Sequence, residues 1–236
     1  MNFFRTLQNE TAPARSELLA APIIQRALSG CISRPEYTAF LGQAYHHVRH
    51  TVPLLMAVGS RLPERYGWLR GAVAEYIEEE IGHEEWILND IAACGCDAEA
   101  VRNGRPSIPT ELMVSYAYDM IARVNPLGFF GMVHVLEGTS ISIADNAANT
   151  IRETLGLPKK AFTYLYSHGA LDLEHVKFFE DLMNRIEDPA DQAQIVHAAK
   201  VFYGLYGGIF RTLDGAAAPA LAYDSGGLTR PVRQAS

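Results

Sequence analysis

Apolar residues recur at steps of three and four along most of the chain, the period of an α-helix with one buried face. Alternating β-branched runs closed by Asn-Gly or Asp-Gly turns are nearly absent. Punctuation divides the helical pattern. Residues 3–29 read as helix interrupted near Pro13 and Pro22. Ser33-Arg34-Pro35-Glu36 has the form of a capping box, and the helix it opens runs to about Gly59 with a bend at Pro53. Pro63 and Gly67 precede a third helix over 68–94, closed by a left-handed Gly95. Thr110 can cap a helix to about Arg123, and Asn125-Pro126 starts one that runs to about Leu155. Helix resumes after Pro158, kinks at Gly169 and ends near Glu187. Asp188-Pro189 then opens a last one to about Leu213. The expectation is an all-α, single-domain bundle of about seven helices over 1–214. From 215 onward Ala, Gly, Pro and Ser dominate, so 215–236 reads as a flexible C-terminal tail, or an arm laid on a neighbour.

Three apolar stripes are interrupted by titratable groups. Over 165–186, Leu165, His168, Asp172, His175, Phe179, Leu182 and Ile186 share one helical face, apolar at both ends and His-Asp-His in the middle. In the third helix Leu69, Val73, Tyr76, Glu80, His83, Ile87 and Ile91 form a second stripe with Glu80 and His83 at its centre. Glu79 is the rival carboxylate there, but the apolar register runs through position 80. After Pro126, Phe130, Val133, Glu137, Ile141, Ala144 and Ala148 form a third stripe around one acid, with His134 at its edge as second-shell or pocket residue. Any one of these is also read as a satisfied core network or a charge turned outward. Three together favour a metal, because buried titratable groups are costly unless something compensates them. Glu80, His83, Glu137, His168, Asp172 and His175 supply carboxylates and imidazoles. That donor set suits iron or manganese, and six ligands suit two ions bridged by a carboxylate. Tyr45, His46 and His47 on the second helix, with Tyr76, are candidates to line a substrate pocket.

Charge and cysteine usage narrow the alternatives. The net charge is −7 and no Lys/Arg run is present, which argues against nucleic acid or an anionic membrane surface as partner. No leader-like N-terminus and no long uninterrupted apolar run are seen, so a cytoplasmic protein is expected. Cys31, Cys94 and Cys96 are too few for a disulfide framework and read as reduced thiols. No nucleophile elbow, phosphate loop or dinucleotide fingerprint is found.

With these residues in hand, the chain resembles the heme-oxygenase-like superfamily. The carriers are the helix count, the stretch GCISRPEYTAFLGQAYHHV at 30–48, and the H-x3-D-x2-H helix. Within the superfamily it looks like the di-iron oxidases and oxygenases, which include CADD-like proteins. His168, Asp172 and His175 match that group's motif and Glu137 its mid-chain carboxylate. The third helix departs, with Tyr76 seven residues before His83 and Glu80 closer in. The resemblance implies a homodimer that activates O2 on two irons to oxidise a small organic substrate, without heme. Residues 10–19, where heme oxygenases carry their axial His, hold none. A metal-independent enzyme like TenA or the quinone-biosynthesis oxidases, and a non-catalytic helical binding protein, are the alternatives.

Overall fold

A computed structural model describes residues 2–170 and 172–214, with the side chains at 168–175 outside the description. Among the described residues there is no strand. Two long helices form the spine: α9, Phe129–Leu155, and α12, Pro189–Leu213 (numbered by their order in the chain). They meet at Gly131. A Cβ there would lie 2.7 Å from both the backbone N of Ala199 and the backbone O of Ile195, so only hydrogen lets the two backbones approach this closely. The apolar stretch Pro126–Leu155 is long enough to cross a membrane by length and composition, yet most of it is buried in the protein, as in a core helix.

The other helices are laid against this spine. α1, Phe3–Leu19, packs on α12, and α2, Pro22–Leu28, on α9. Pro13 does not interrupt α1. It lies on the exposed face, where the carbonyl it leaves unpaired is free to meet water. α3, Arg34–Val48, opens on the capping box, with Ser33 and Glu36 bonded reciprocally. The helix expected to reach Gly59 instead divides, and Thr51–Arg61 forms α4. Pro53 falls in the first turn of α4, where a missing N–H costs nothing, and its ring would clash with the carbonyl of Arg49 in a continuous helix.

The expected helix over 68–94 is likewise two: α5, Leu69–Glu80, and α6, His83–Ala93. Ile81 is extended and Gly82 takes φ +91°, a left-handed conformation natural only to glycine. The break also sets Glu84 and Glu85 in the first turn of α6, where the helix dipole favours acids. Gly95 closes α6 at φ +77°. A short α7, Ala98–Arg102, is capped by Asp97. α8, Ile108–Asp119, starts at Ser107 rather than Thr110, whose hydroxyl donates to Gln43. α10, Thr163–Ala170, and α11, Asp172–Asn184, precede α12, which opens at Asp188. Breaks of this kind turn about seven expected helices into more, shorter ones. The segment 215–236 lies outside the described residues.

Candidate functional site

Six helices converge on one chamber between α9 and the α3–α5 side of the bundle. α9 contributes Met132, Val133, Leu136 and Glu137; α5 contributes Tyr76 and Glu80; α3, α10 and α12 contribute His47, Tyr164 and Tyr206. Leu55 of α4 completes the apolar part of the wall. Glu80 and Glu137, from sites far apart in sequence, thus face the same space. His83 lies across the Gly82 break, and its Nδ1 is 3.1 Å from Glu80 Oε2. The imidazole is buried, with the Trp86 ring tilted against it at 4.1 Å between ring centroids. His47 packs edge-on against Tyr206 at 5.8 Å.

The chamber holds an orphaned polar atom. Tyr76 is buried and its hydroxyl has no hydrogen-bond partner among the described residues, a state that costs about 1–3 kcal/mol unless water or a ligand intervenes. Burial pushes its pKa up, and Glu137, Glu79 and Glu80 push it further, so the phenol stays protonated. Tyr164 is raised in the same way by burial, Tyr206 and Glu80. A buried hydroxyl without a partner, two convergent carboxylates and a histidine suit a hard cation or an oxygen-bearing ligand. No group of three His, Cys, Asp or Glu that could hold a metal is found among the described residues. The side chains of His168, Asp172 and His175, on α10 and α11, lie outside them.

The remaining sequence candidates separate. Successive helical residues point about 100° apart, so only one of the Tyr45-His46-His47 run reaches the chamber. Tyr45 lies under the Arg49 guanidinium at 5.4 Å, and His46 packs edge-on to Tyr45. Burial, with Arg49 and His50, lowers His46 to a pKa of about 4. His134 faces α1 rather than the chamber, and its Nε2 is 3.1 Å from Thr11 Oγ1. The Thr11 hydroxyl proton is committed to the carbonyl of Leu7 at 2.7 Å. Nε2 therefore carries the hydrogen of the neutral ring and Nδ1 is an acceptor. Burial, with Arg15, lowers this histidine to about 4. Ile141, expected in the buried stripe, is 37% exposed.

Two groups that support the chamber were not singled out in the sequence. Asp90 is fully buried and accepts from the backbone N–H of Thr163 at 3.0 Å and of Tyr164 at 2.9 Å. It thereby caps α10 from another helix. The Tyr37 hydroxyl donates to Ala161 O at 2.8 Å, and its ring stacks on Phe162 at 4.9 Å. Together they fix the entry of α10 and hence Tyr164. An acid among Ile87, Leu88 and Ile91 was the available signal for Asp90.

A second cavity adjoins the chamber and shares Ser140, Tyr164 and Tyr206 with it. The rest of its wall is apolar apart from Thr139 and Tyr37, with Ile24, Leu28, Ile143 and Phe210 among its members.

A family model described as "Iron-containing redox enzyme" matches residues 38–207. No curated protein matches the chain by sequence. Among solved structures, a domain of unknown function with a heme oxygenase-like fold from Shewanella denitrificans superposes with a TM-score of 0.82 at 22% identity, covering 94% of this chain and 98% of that one. A TenA homolog from Pseudomonas syringae gives 0.74 at 14% identity, covering 90% and 92%. Heme oxygenase-1 from the cyanobacterium Synechocystis, in complex with heme, gives 0.71 at 14% identity, covering 91% and 93%. These likenesses establish the heme oxygenase-like fold.

Proposed function

The chain belongs to the iron-containing redox enzyme family, and from that premise we propose that it is a non-heme di-iron oxidoreductase that uses O2 to oxidise a small organic substrate. The observation that carries the reading is the meeting of Glu80 and Glu137 in one chamber with an unpartnered, protonated Tyr76. Glu80, His83 and Glu137 would hold iron together with His168, Asp172 and His175, and manganese would accept the same donors. When bound, the metal pair supplies the electrons and the site for O2 reduction. The chain's own residues do the rest. Leu55, Phe129, Met132 and Leu136 exclude bulk water from the chamber. Tyr76, protonated and without a partner, donates a hydrogen bond to an oxygen of the substrate. The apolar body of the substrate has room in the adjoining cavity, past Tyr164 and Tyr206. Heme is not part of the proposal, since α1 carries no histidine to serve as an axial ligand.

Anaerobic titration with Fe(II), followed by elemental analysis and O2-electrode measurements, tests the reading. The parent should take up close to two irons per chain and consume O2. Glu80→Ala, Glu137→Ala and Asp172→Ala should each lose at least half of the iron. Full loading in these variants, or activity that survives chelation, would refute it.

A further inference from the structure

The groups turned away from the chamber make a pocket of their own. Between α1, α9, α11 and α12 lies a cavity of about 320 Å³, at the lower end of the size range of small-molecule sites. Phe4, His134 and Phe179 form an aromatic wall, with His134 and Phe179 stacked at 6.2 Å and Phe4 edge-on to both.

Three features of this cavity ask for an occupant. Tyr203 lines it, is 2% exposed, and its hydroxyl has no hydrogen-bond partner among the described residues. A buried polar atom left in this state points to an unseen partner. Arg15, half-buried in the same wall, bonds to the Ser142 hydroxyl, and among the described residues it pairs with no carboxylate. Arginine stays charged, and its planar fork matches a carboxylate through two parallel bonds. Gly138 also lines the cavity, and a Cβ added there would meet none of the described residues within 4 Å, which leaves room along that side of α9.

We infer that this cleft is a binding site for a small aromatic monocarboxylate, with the carboxylate on Arg15 and the ring against Phe4 and Phe179. The Tyr203 hydroxyl meets a polar atom of the ligand. Glu137 stands in the same wall and limits the ligand to a single negative charge. Glu137 is shared with the proposed iron chamber, but Arg15, Gly138 and Tyr203, which carry the inference, are not among the proposed iron donors.

Benzoate is the probe, with benzyl alcohol as its uncharged counterpart, titrated calorimetrically into the full chain. Benzoate should bind the parent at least tenfold more tightly than benzyl alcohol. Arg15→Met should abolish that preference, and Gly138→Leu should abolish binding of both by filling the space. Iron uptake by Arg15→Met should match the parent, which separates loss of this site from loss of the metal site. Circular dichroism establishes that each variant is folded; should Gly138→Leu fail that check, the Arg15→Met comparison decides. Absence of benzoate binding by the parent at millimolar concentration overturns the inference. So does an Arg15→Met variant that keeps the preference, or a folded Gly138→Leu variant that binds benzoate as the parent does.

Discussion

One substitution made at two glycines of α9 should change stability in opposite directions. At Gly131 an added methyl meets the backbone of α12 at 2.7 Å, against an ordinary contact distance of about 3.4 Å. The two spine helices must therefore part by about 0.7 Å, or a backbone hydrogen bond must distort. Overpacking of this kind costs about 1–3 kcal/mol. For a domain of this size each kcal/mol shifts the melting temperature by about 2–4 °C, so Gly131→Ala should melt about 2–12 °C below the parent. Gly138 lies two turns further along the same helix, with open space around the added methyl. There only the helix propensity changes, worth about 1 kcal/mol in favour of alanine, so Gly138→Ala should melt about 2–4 °C higher. Thermal melts at 222 nm on both variants measure the difference. If the two shifts share a sign, or Gly131→Ala melts within a degree of the parent, the close crossing of α9 and α12 is not as described.

Asp191→Ala should destabilise the fold by about 1–3 kcal/mol, read by urea unfolding, since it strips a buried acid from Tyr66, Arg65 and Asn125 at 2.7–2.9 Å. The buried Tyr66 and the half-buried Asn125 would be left with unmade hydrogen bonds. His134 should make the protein acid-sensitive: with a folded pKa of about 4 against an ordinary 6.5, the unfolded chain takes up the proton first. Its contribution is complete above pH 6.5 and is lost as the pH falls towards 4, by up to about 3 kcal/mol, so a His134→Gln variant should show a flatter melting profile over that window. Asp90→Ala should cost about 2 kcal/mol and speed amide exchange at Thr163 and Tyr164, which lose their acceptor.

The local punctuation of the chain was legible where the deciding chemistry is local. The Ser33–Glu36 box, the left-handed Gly95 and the Asp188-Pro189 start act within one turn and stand where sequence reasoning puts them. The apolar ends of the stripes are also buried, with Leu69, Val73, Ile87, Phe179 and Leu182 in the core. Breaks at Arg49 and Gly82 were missed because the apolar period continues across them, and period alone does not reveal a change of helix axis. Glu80 and Glu137 in one chamber were anticipated from their registers. Tyr164, Tyr206 and the Asp90 cap were not, because each depends on contact between elements distant in sequence. The His134 side chain, read as a supporting or pocket residue at the edge of the Glu137 face, meets Thr11 and lines the cavity beside α1 in which Glu137 also stands.

The left-handed joint at Gly82 sets the relation between two of the proposed donors. Glu80 and His83 are three residues apart, yet they belong to different helices, and the backbone angles of Ile81 and Gly82 govern how one is aimed at the other. None of the described residues stands within 4 Å of the space a side chain would occupy there, so the backbone angle itself, and not a neighbour, is what disfavours one. Any residue with a Cβ would therefore swing α6 relative to α5, and carboxylate and imidazole would no longer converge even with both still in the sequence.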